Sequence, residues 1–182
     1  MLDEACRVMR GLWTEKRFSF EGEHYQLKDA QMDPKPVQEH MPLVIGGSGE
    51  KRTLRIVAEH GDIWNTFFGD LDVFKHKLDV LAGHCSDVGR DPADIRKSVT
   101  YRMIIRQDEA EVEEARRELE SGEPSRFTRF LGTPEQAVEA MKPWAEQGAG
   151  DFLMGAAPPF DWRSLELFAQ QVAPALRAEV AA

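Results

Sequence analysis

The chain reads as an α/β protein organised around a parallel sheet, and three features predict that class. Short apolar runs alternate with amphipathic stretches along most of the 182 residues. Four of the runs have strand character, at residues 43–45, 63–65, 98–105 and 152–154. A glycine turn, Gly46-Gly47-Ser48-Gly49, joins the first run directly to an amphipathic segment. Alternating strands and helices place the strands parallel, with right-handed crossovers between them.

The elements follow in order. Residues 2–13 form a helix with Leu2, Ala5, Met9, Leu12 and Trp13 on one face and no capping residue ahead of it. Between residues 17 and 27 apolar positions alternate, Phe18 and Phe20, then Tyr25 and Leu27, across Glu21-Gly22-Glu23-His24; this is a β-hairpin pattern. Asp33-Pro34-Lys35-Pro36 is an extended connector, because each proline disfavours helical geometry in its predecessor. After the glycine turn, Leu54, Val57 and Ala58 at i, i+3 and i+4 make one apolar stripe. Glu50 near the start and His60 near the end suit the helix dipole, and Gly61 is placed as a C′ residue.

A loop is expected at 65–69, then a helix over about 72–88 with Phe74, Leu78, Leu81 and Cys85 inward, ended by Gly89-Arg90-Asp91-Pro92. Residues 98–105 read as one strand with Val99, Tyr101, Met103 and Ile105 on one side. Residues 109–119 read as a charged helix on a narrow stripe of Val112, Ala115 and Leu119. A polar loop is expected at 121–129. Thr133-Pro134-Glu135-Gln136 is a helix start, with Thr as N-cap, Pro at N1 and Gln at N3. That helix is stopped by Gly148-Ala149-Gly150. A last helix over 162–176 carries Leu165, Phe168, Val172 and Leu176 inward.

Composition narrows the partners. The chain is 42% hydrophobic and 30% charged, the balance of a soluble globular protein. A net charge of −9 argues against nucleic acid, which needs a basic face. No run reaches the roughly 18 apolar residues of a membrane span. The first residues, Met1-Leu2-Asp3-Glu4, lack a signal peptide's basic and apolar regions. Cys6 and Cys85 sit in helical patterns as reduced core thiols, which fits a cytoplasmic protein.

The chemistry signal is the glycine turn. Glycines at the mouth of a helix let backbone N–H groups approach a phosphate, with the helix dipole behind them. The bland alternative is a βα turn whose glycines only relieve crowding. The turn matches neither G-x-G-x-x-G nor the Walker pattern. Lys51 and Arg52 read as a solvated helix face. His24, His40, His60, His76 and His84 show no metal spacing, so no metal is assigned, and no nucleophilic motif is present.

Residues 20–65, FEGEHYQLKDAQMDPKPVQEHMPLVIGGSGEKRTLRIVAEHGDIWN, closely resemble the luciferase-like monooxygenase superfamily. DVGRDPADI at 87–95 and FLGTPEQAVEAMKPWAEQGAGDFLM at 130–154 resemble its later landmarks. The match is closest to the branch of oxidoreductases that use coenzyme F420 or FMN, and it covers nearly the whole chain in register. It implies a partial TIM (β/α)8 barrel, about strands five to eight with their helices, plus a β-hairpin insertion. The expected organisation is a single barrel domain over 1–182, with helix and hairpin insertion in 1–40 and βα units in 41–182. A complete barrel typically takes about 250 residues.

By the same resemblance Gly46, Gly47, Ser48 and Gly49 line a cofactor phosphate. Trp64, Asn65 and Thr66 leave the C-terminal end of the next strand, where barrel active sites form. Core packing is the competing role for Trp64, and the favoured one for Tyr101 and Met103. No catalytic residue is assigned, as expected where the cofactor carries the redox chemistry. The implied activity is hydride transfer or oxygenation of a small organic substrate with F420 or FMN. Partners are the small-molecule substrate and either a second copy or a complementing N-terminal half, with no membrane and no nucleic acid. The rival reading is a catalytically incomplete half-barrel that acts as an assembly or cofactor-binding module. A third, an unrelated phosphosugar-binding α/β protein, leaves the hairpin and proline connector unexplained.

Overall fold

The computed structural model describes residues 1–121, 130–156 and 158–180. They form two units, Met1–Trp64 with Lys77–Arg96, and Asn65–His76 with Lys97–Ala182. The loop expected at 121–129 lies outside the described residues, apart from Ser121, which closes a helix.

In the first unit, helix α1 (Leu2–Thr14) is followed by β1 (Phe18–Glu21) and β2 (Gln26–Ala30), an antiparallel hairpin with Phe20 opposite Leu27. The buried side of α1 is Cys6, Val8 and Gly11, whereas Leu2 is exposed, so the expected stripe is corrected. The Phe18 ring closes on α1 at Gly11, where a Cβ would lie 2.1 Å from Phe18 Cε2. Tyr25 belongs to the turn rather than to β2, its carbonyl accepting from Gly22 N at 2.9 Å. The Glu4 carboxylate accepts from the N–H groups of Glu23, His24 and Tyr25 at 3.1, 2.9 and 3.0 Å and ties this turn to α1.

Strand β3 (Val44–Gly46) leads through the glycine turn to α2 (Thr53–His60), which buries Leu54, Val57 and Ala58 as predicted. The helix starts at Thr53, later than expected. Glu50 therefore precedes the N-cap and pairs with Lys77, while its carbonyl accepts from His84 Nε2 at 2.7 Å. Gly61 is extended (φ −76°), not left-handed. Its glycine is a matter of space, since a Cβ would sit 3.0 Å from Val57 O. His60 bonds Asp3 at 2.6 Å and joins α2 to α1.

Strand β4 (Ile63–Phe67) is longer than expected and takes up part of the anticipated loop. Helix α3 (Leu71–Val88) follows, with Phe74, Leu81 and Cys85 buried. Both cysteines are buried and free, as predicted.

In the second unit the predicted strand at 98–105 is two strands, β5 (Arg96–Tyr101) and β6 (Met103–Ile105), broken at Arg102. Val99, Tyr101, Met103 and Ile105 are all buried, so Tyr101 and Met103 take the core role. Then come α4 (Glu109–Ser121), β7 (Phe130–Gly132), α5 (Pro134–Glu146) and β8 (Ala149–Met154). β7 was not anticipated; three residues carry too little pattern. Helix α5 stops where Gly148-Ala149-Gly150 was expected to stop it, with Gly148 at φ +88°, and β8 starts at Ala149, earlier than the expected run at 152–154. The chain of described residues closes with α6 (Trp162–Leu167), a π-type turn at Phe168–Val172 and α7 (Ala173–Val180), one continuous run longer than the helix predicted.

β4 divides after Trp64: in the first unit β3 neighbours β4, and in the second the strand order is β4-β5-β8. β5 and β8 are parallel, with Val99 opposite Phe152 and Tyr101 opposite Met154. β6 and β7 are also parallel. The aromatic core of this unit stacks Phe68 and Phe74 on Trp144 at 4.7 and 4.8 Å, with Tyr101 against Phe68, Phe152 and Phe168. Among the described residues, Tyr101 OH is the buried side-chain polar atom without a hydrogen-bond partner. Burial raises its pKa. Thr133 and Gln136 close the predicted capping box, Thr133 N donating to Gln136 Oε1 at 3.0 Å and Gln136 N to Thr133 Oγ1 at 3.4 Å.

Candidate functional site

The glycine turn takes its shape from a tryptophan. Trp64, second in β4, is fully buried, and its indole Nε1–H donates to Gly47 O at 2.7 Å. Gly47 sits at φ +119°, a region closed to ordinary L residues. The Gly47–Ser48 peptide is trans, so its C=O and N–H point in opposite directions. With the carbonyl drawn inward to the indole, the Ser48 N–H points outward. Two further carbonyls are turned inward in the same way. Gly49 O accepts from Leu54 N at 3.0 Å, and Glu50 O accepts from His84. The N–H groups that follow them, on Glu50 and Lys51, are directed away from those contacts.

Residues 46–49 are exposed. Thr53, first in α2, packs beneath the turn, and a Cβ at Gly49 would come within 2.9 Å of its Oγ1. A Cβ at Gly46 meets nothing within 4 Å. The result is an open, glycine-lined loop with outward N–H groups at the start of an eight-residue helix. An anion is the ligand such a loop can hold without a charged side chain. Lys51 and Arg52 are exposed, as predicted for a solvated face.

A second arrangement in the same unit was invisible in sequence. Asp62, just before β4, accepts from Leu43 N at 2.7 Å, contacts His40 at 2.7 Å and pairs with Arg10, which also donates to Met41 O. Burial pushes the Asp62 carboxyl up, but the Leu43 N–H, His40 and Arg10 outweigh it and hold it below the usual aspartate value. This cluster stands at the N-terminal end of β4, the end that serves stability in barrel folds. Two groups of ligand-type side chains also come together, Asp3 with Glu59 and His60, and Glu4 with Glu23 and His24. Ion pairing between helices and backbone bonding to the hairpin turn account for them.

The second unit carries Asn65 and Thr66. Both are half-buried. Asn65 Nδ2 donates to Ser98 Oγ and Thr100 Oγ1, each at 3.0 Å, which braces the end of β4 against β5. Its amide hydrogens are thus already engaged.

A family model described as luciferase-like monooxygenase matches residues 1–158. The FMNH2-dependent dimethylsulfone monooxygenase of Pseudomonas putida is 24% identical over 210 residues, covering 96% of this chain and 57% of that protein. The F420-dependent glucose-6-phosphate dehydrogenase of Segniliparus rotundus is 25% identical over 204 residues, covering 97% and 60%. Among solved structures, an F420-dependent secondary alcohol dehydrogenase in complex with an F420-acetone adduct superposes with a TM-score of 0.76 at 22% identity, covering 97% of this chain and 61% of that one. The chain therefore spans about three fifths of the length of these relatives.

Proposed function

This chain belongs to the luciferase-like monooxygenase family, and we propose that it carries the cofactor-phosphate turn of an oxidoreductase that uses F420 or FMN on a small organic substrate. The observation that carries the reading is the inward Gly47 carbonyl with the outward Ser48 N–H. Its further support is that relatives are FMNH2-dependent and F420-dependent enzymes.

Gly46, Gly47, Ser48 and Gly49 hold the phosphate through main-chain N–H groups, and Trp64 fixes their direction without touching the ligand. The bound flavin or deazaflavin supplies the hydride or oxygen chemistry. The chain's own part is to anchor the cofactor's phosphate end and hold it in one orientation, the condition for reacting atoms to meet.

Gly46→Val tests the anchor. Gly47 is the poorer probe, because its positive φ makes any side chain there a folding defect as well. At Gly46 a side chain has room in the protein, so the melt should stay within a few degrees of the parent while FMN and F420 affinity falls at least tenfold. Unchanged affinity for both cofactors refutes the assignment.

A binding or assembly module that lacks its own turnover is the second reading. It is favoured by Phe67 and Leu153, 68% and 49% exposed on β4 and β8 of the second unit. Turnover by the chain alone with F420 or FMN decides between the two; rescue only by an added N-terminal half of a relative supports the second.

A further inference from the structure

A cavity of about 360 Å³ opens in the second unit at the N-terminal end of β8, between the end of α5 and the C-terminal helix. Barrel active sites form at the opposite, C-terminal ends of strands, so the cavity is no part of the cofactor reading above. Its walls include Ala149, Phe152, Phe168, Leu176 and Val180, and the one ionisable side chain among its lining residues is Arg177. The volume falls within the range of small-molecule pockets, about 300–1,000 Å³.

We propose that this cavity binds a small amphipathic carboxylate, its charge on Arg177 and its hydrocarbon body between Phe152 and Phe168. Charge complementarity sets the sign of the ligand. The protein carries a net charge of −9, yet among the described residues no acidic side chain lines this cavity. Glu179, two residues beyond Arg177, pairs instead with Lys142 at 2.8 Å. The Glu179 carboxylate raises the Lys142 pKa, so the two charges offset each other.

The wall geometry sets the shape of the ligand. Phe168 opens the π-type turn, a rare helix distortion that gathers at functional sites. Tyr101 backs both phenylalanines at 6.2 and 5.9 Å between ring centres, which holds the two rings as a fixed pair. The competing role for Arg177 is electrostatic support of the helix C-terminus, where a cation is favourable in any case.

Titration calorimetry of the intact chain with decanoate and with decanol separates these roles. Decanoate should bind saturably and more tightly than decanol. Arg177→Gln should weaken decanoate about tenfold, about 1.4 kcal/mol, and leave decanol unchanged. Arg177→Lys should retain most of the affinity. Ala173→Trp, which fills the cavity, should abolish binding of both; if that variant does not fold, the Arg177 pair of ligands decides alone. No saturable decanoate binding by the parent, or equal decanoate affinity in parent and Arg177→Gln, overturns the proposal.

Discussion

Replacing Trp64 with phenylalanine keeps an aromatic ring in a fully buried site and removes one donor, the indole N–H that meets Gly47 O at 2.7 Å. The lost hydrogen bond costs about 0.5–1.5 kcal/mol. The smaller ring adds a cavity cost on the order of 1 kcal/mol, at about 24 cal/mol per Å³. Together these approach about 2 kcal/mol, which for a chain of this length lowers the melting temperature by roughly 4–8 °C. The larger consequence is orientational. Once the Gly47 carbonyl is released, its peptide can rotate, and the Ser48 N–H no longer points outward. A hydrogen bond from that N–H to a charged phosphate is worth about 1.5–3 kcal/mol, roughly 10- to 150-fold in affinity. Fluorescence-quenching titrations well below both melting temperatures should show FMN weakened by that factor in Trp64→Phe. Riboflavin, which lacks the phosphate, should be weakened far less. Equal losses for FMN and riboflavin, or no loss for FMN, would refute the orientation argument and leave Trp64 as a core residue alone.

Asp62→Ala strips the acceptor from Leu43 N–H and leaves Arg10 without its carboxylate, so it should cost about 2–4 kcal/mol in a chemical melt; a loss under about 0.5 kcal/mol would show the cluster to be surface decoration. Acid should destabilise the fold through the same group. Asp62 is held low when folded, so its contribution is complete above the unfolded aspartate pKa of about 3.9 and is lost as pH falls through the lower folded value. Melts of the parent should therefore fall steeply below about pH 4, and more shallowly in Asp62→Ala; parallel curves would count against it. Thr133→Ala removes half of the capping box and should cost about 1 kcal/mol, while Thr133→Ser should restore most of it. Light scattering should show concentration-dependent association through exposed Phe67 and Leu153, diminished in the Phe67→Lys Leu153→Lys variant; a monomer indifferent to both changes would sink that expectation.

Patterns repeated over several residues survived the passage from sequence to structure. Leu54, Val57 and Ala58 needed only the helical period to be placed inward, and all three are fully buried. Thr133-Pro134-Glu135-Gln136 specifies its helix start locally, because every partner in the capping box lies within four residues. Errors arose where one residue answers to a distant neighbour. Gly11 carries no apolar side chain, yet it faces inward because Phe18 needs its missing Cβ. Gly61 has the composition of a helix cap, but Ile45 and the Val57 carbonyl make it a spacer.

The same distinction runs through the candidate site. Its glycines were legible, because a run of three within four residues has few local explanations. The group that orients them, Trp64, was legible as a site candidate or a core residue, not as the donor that turns a glycine carbonyl inward. Nothing in Ile63-Trp64-Asn65 signals that an indole will meet a carbonyl 17 residues earlier. Asn65 shows the converse. Its position at a strand end suggested a ligand contact, but Ser98 and Thr100, more than 30 residues on, occupy its amide hydrogens. A polar side chain at a strand end is therefore no more than a candidate until its local partners are known. A backbone N–H is different, because the carbonyl across its own peptide plane fixes its direction. On that ground the Ser48 N–H, set by Gly47 and Trp64, is the firmest point from which to test this chain's chemistry.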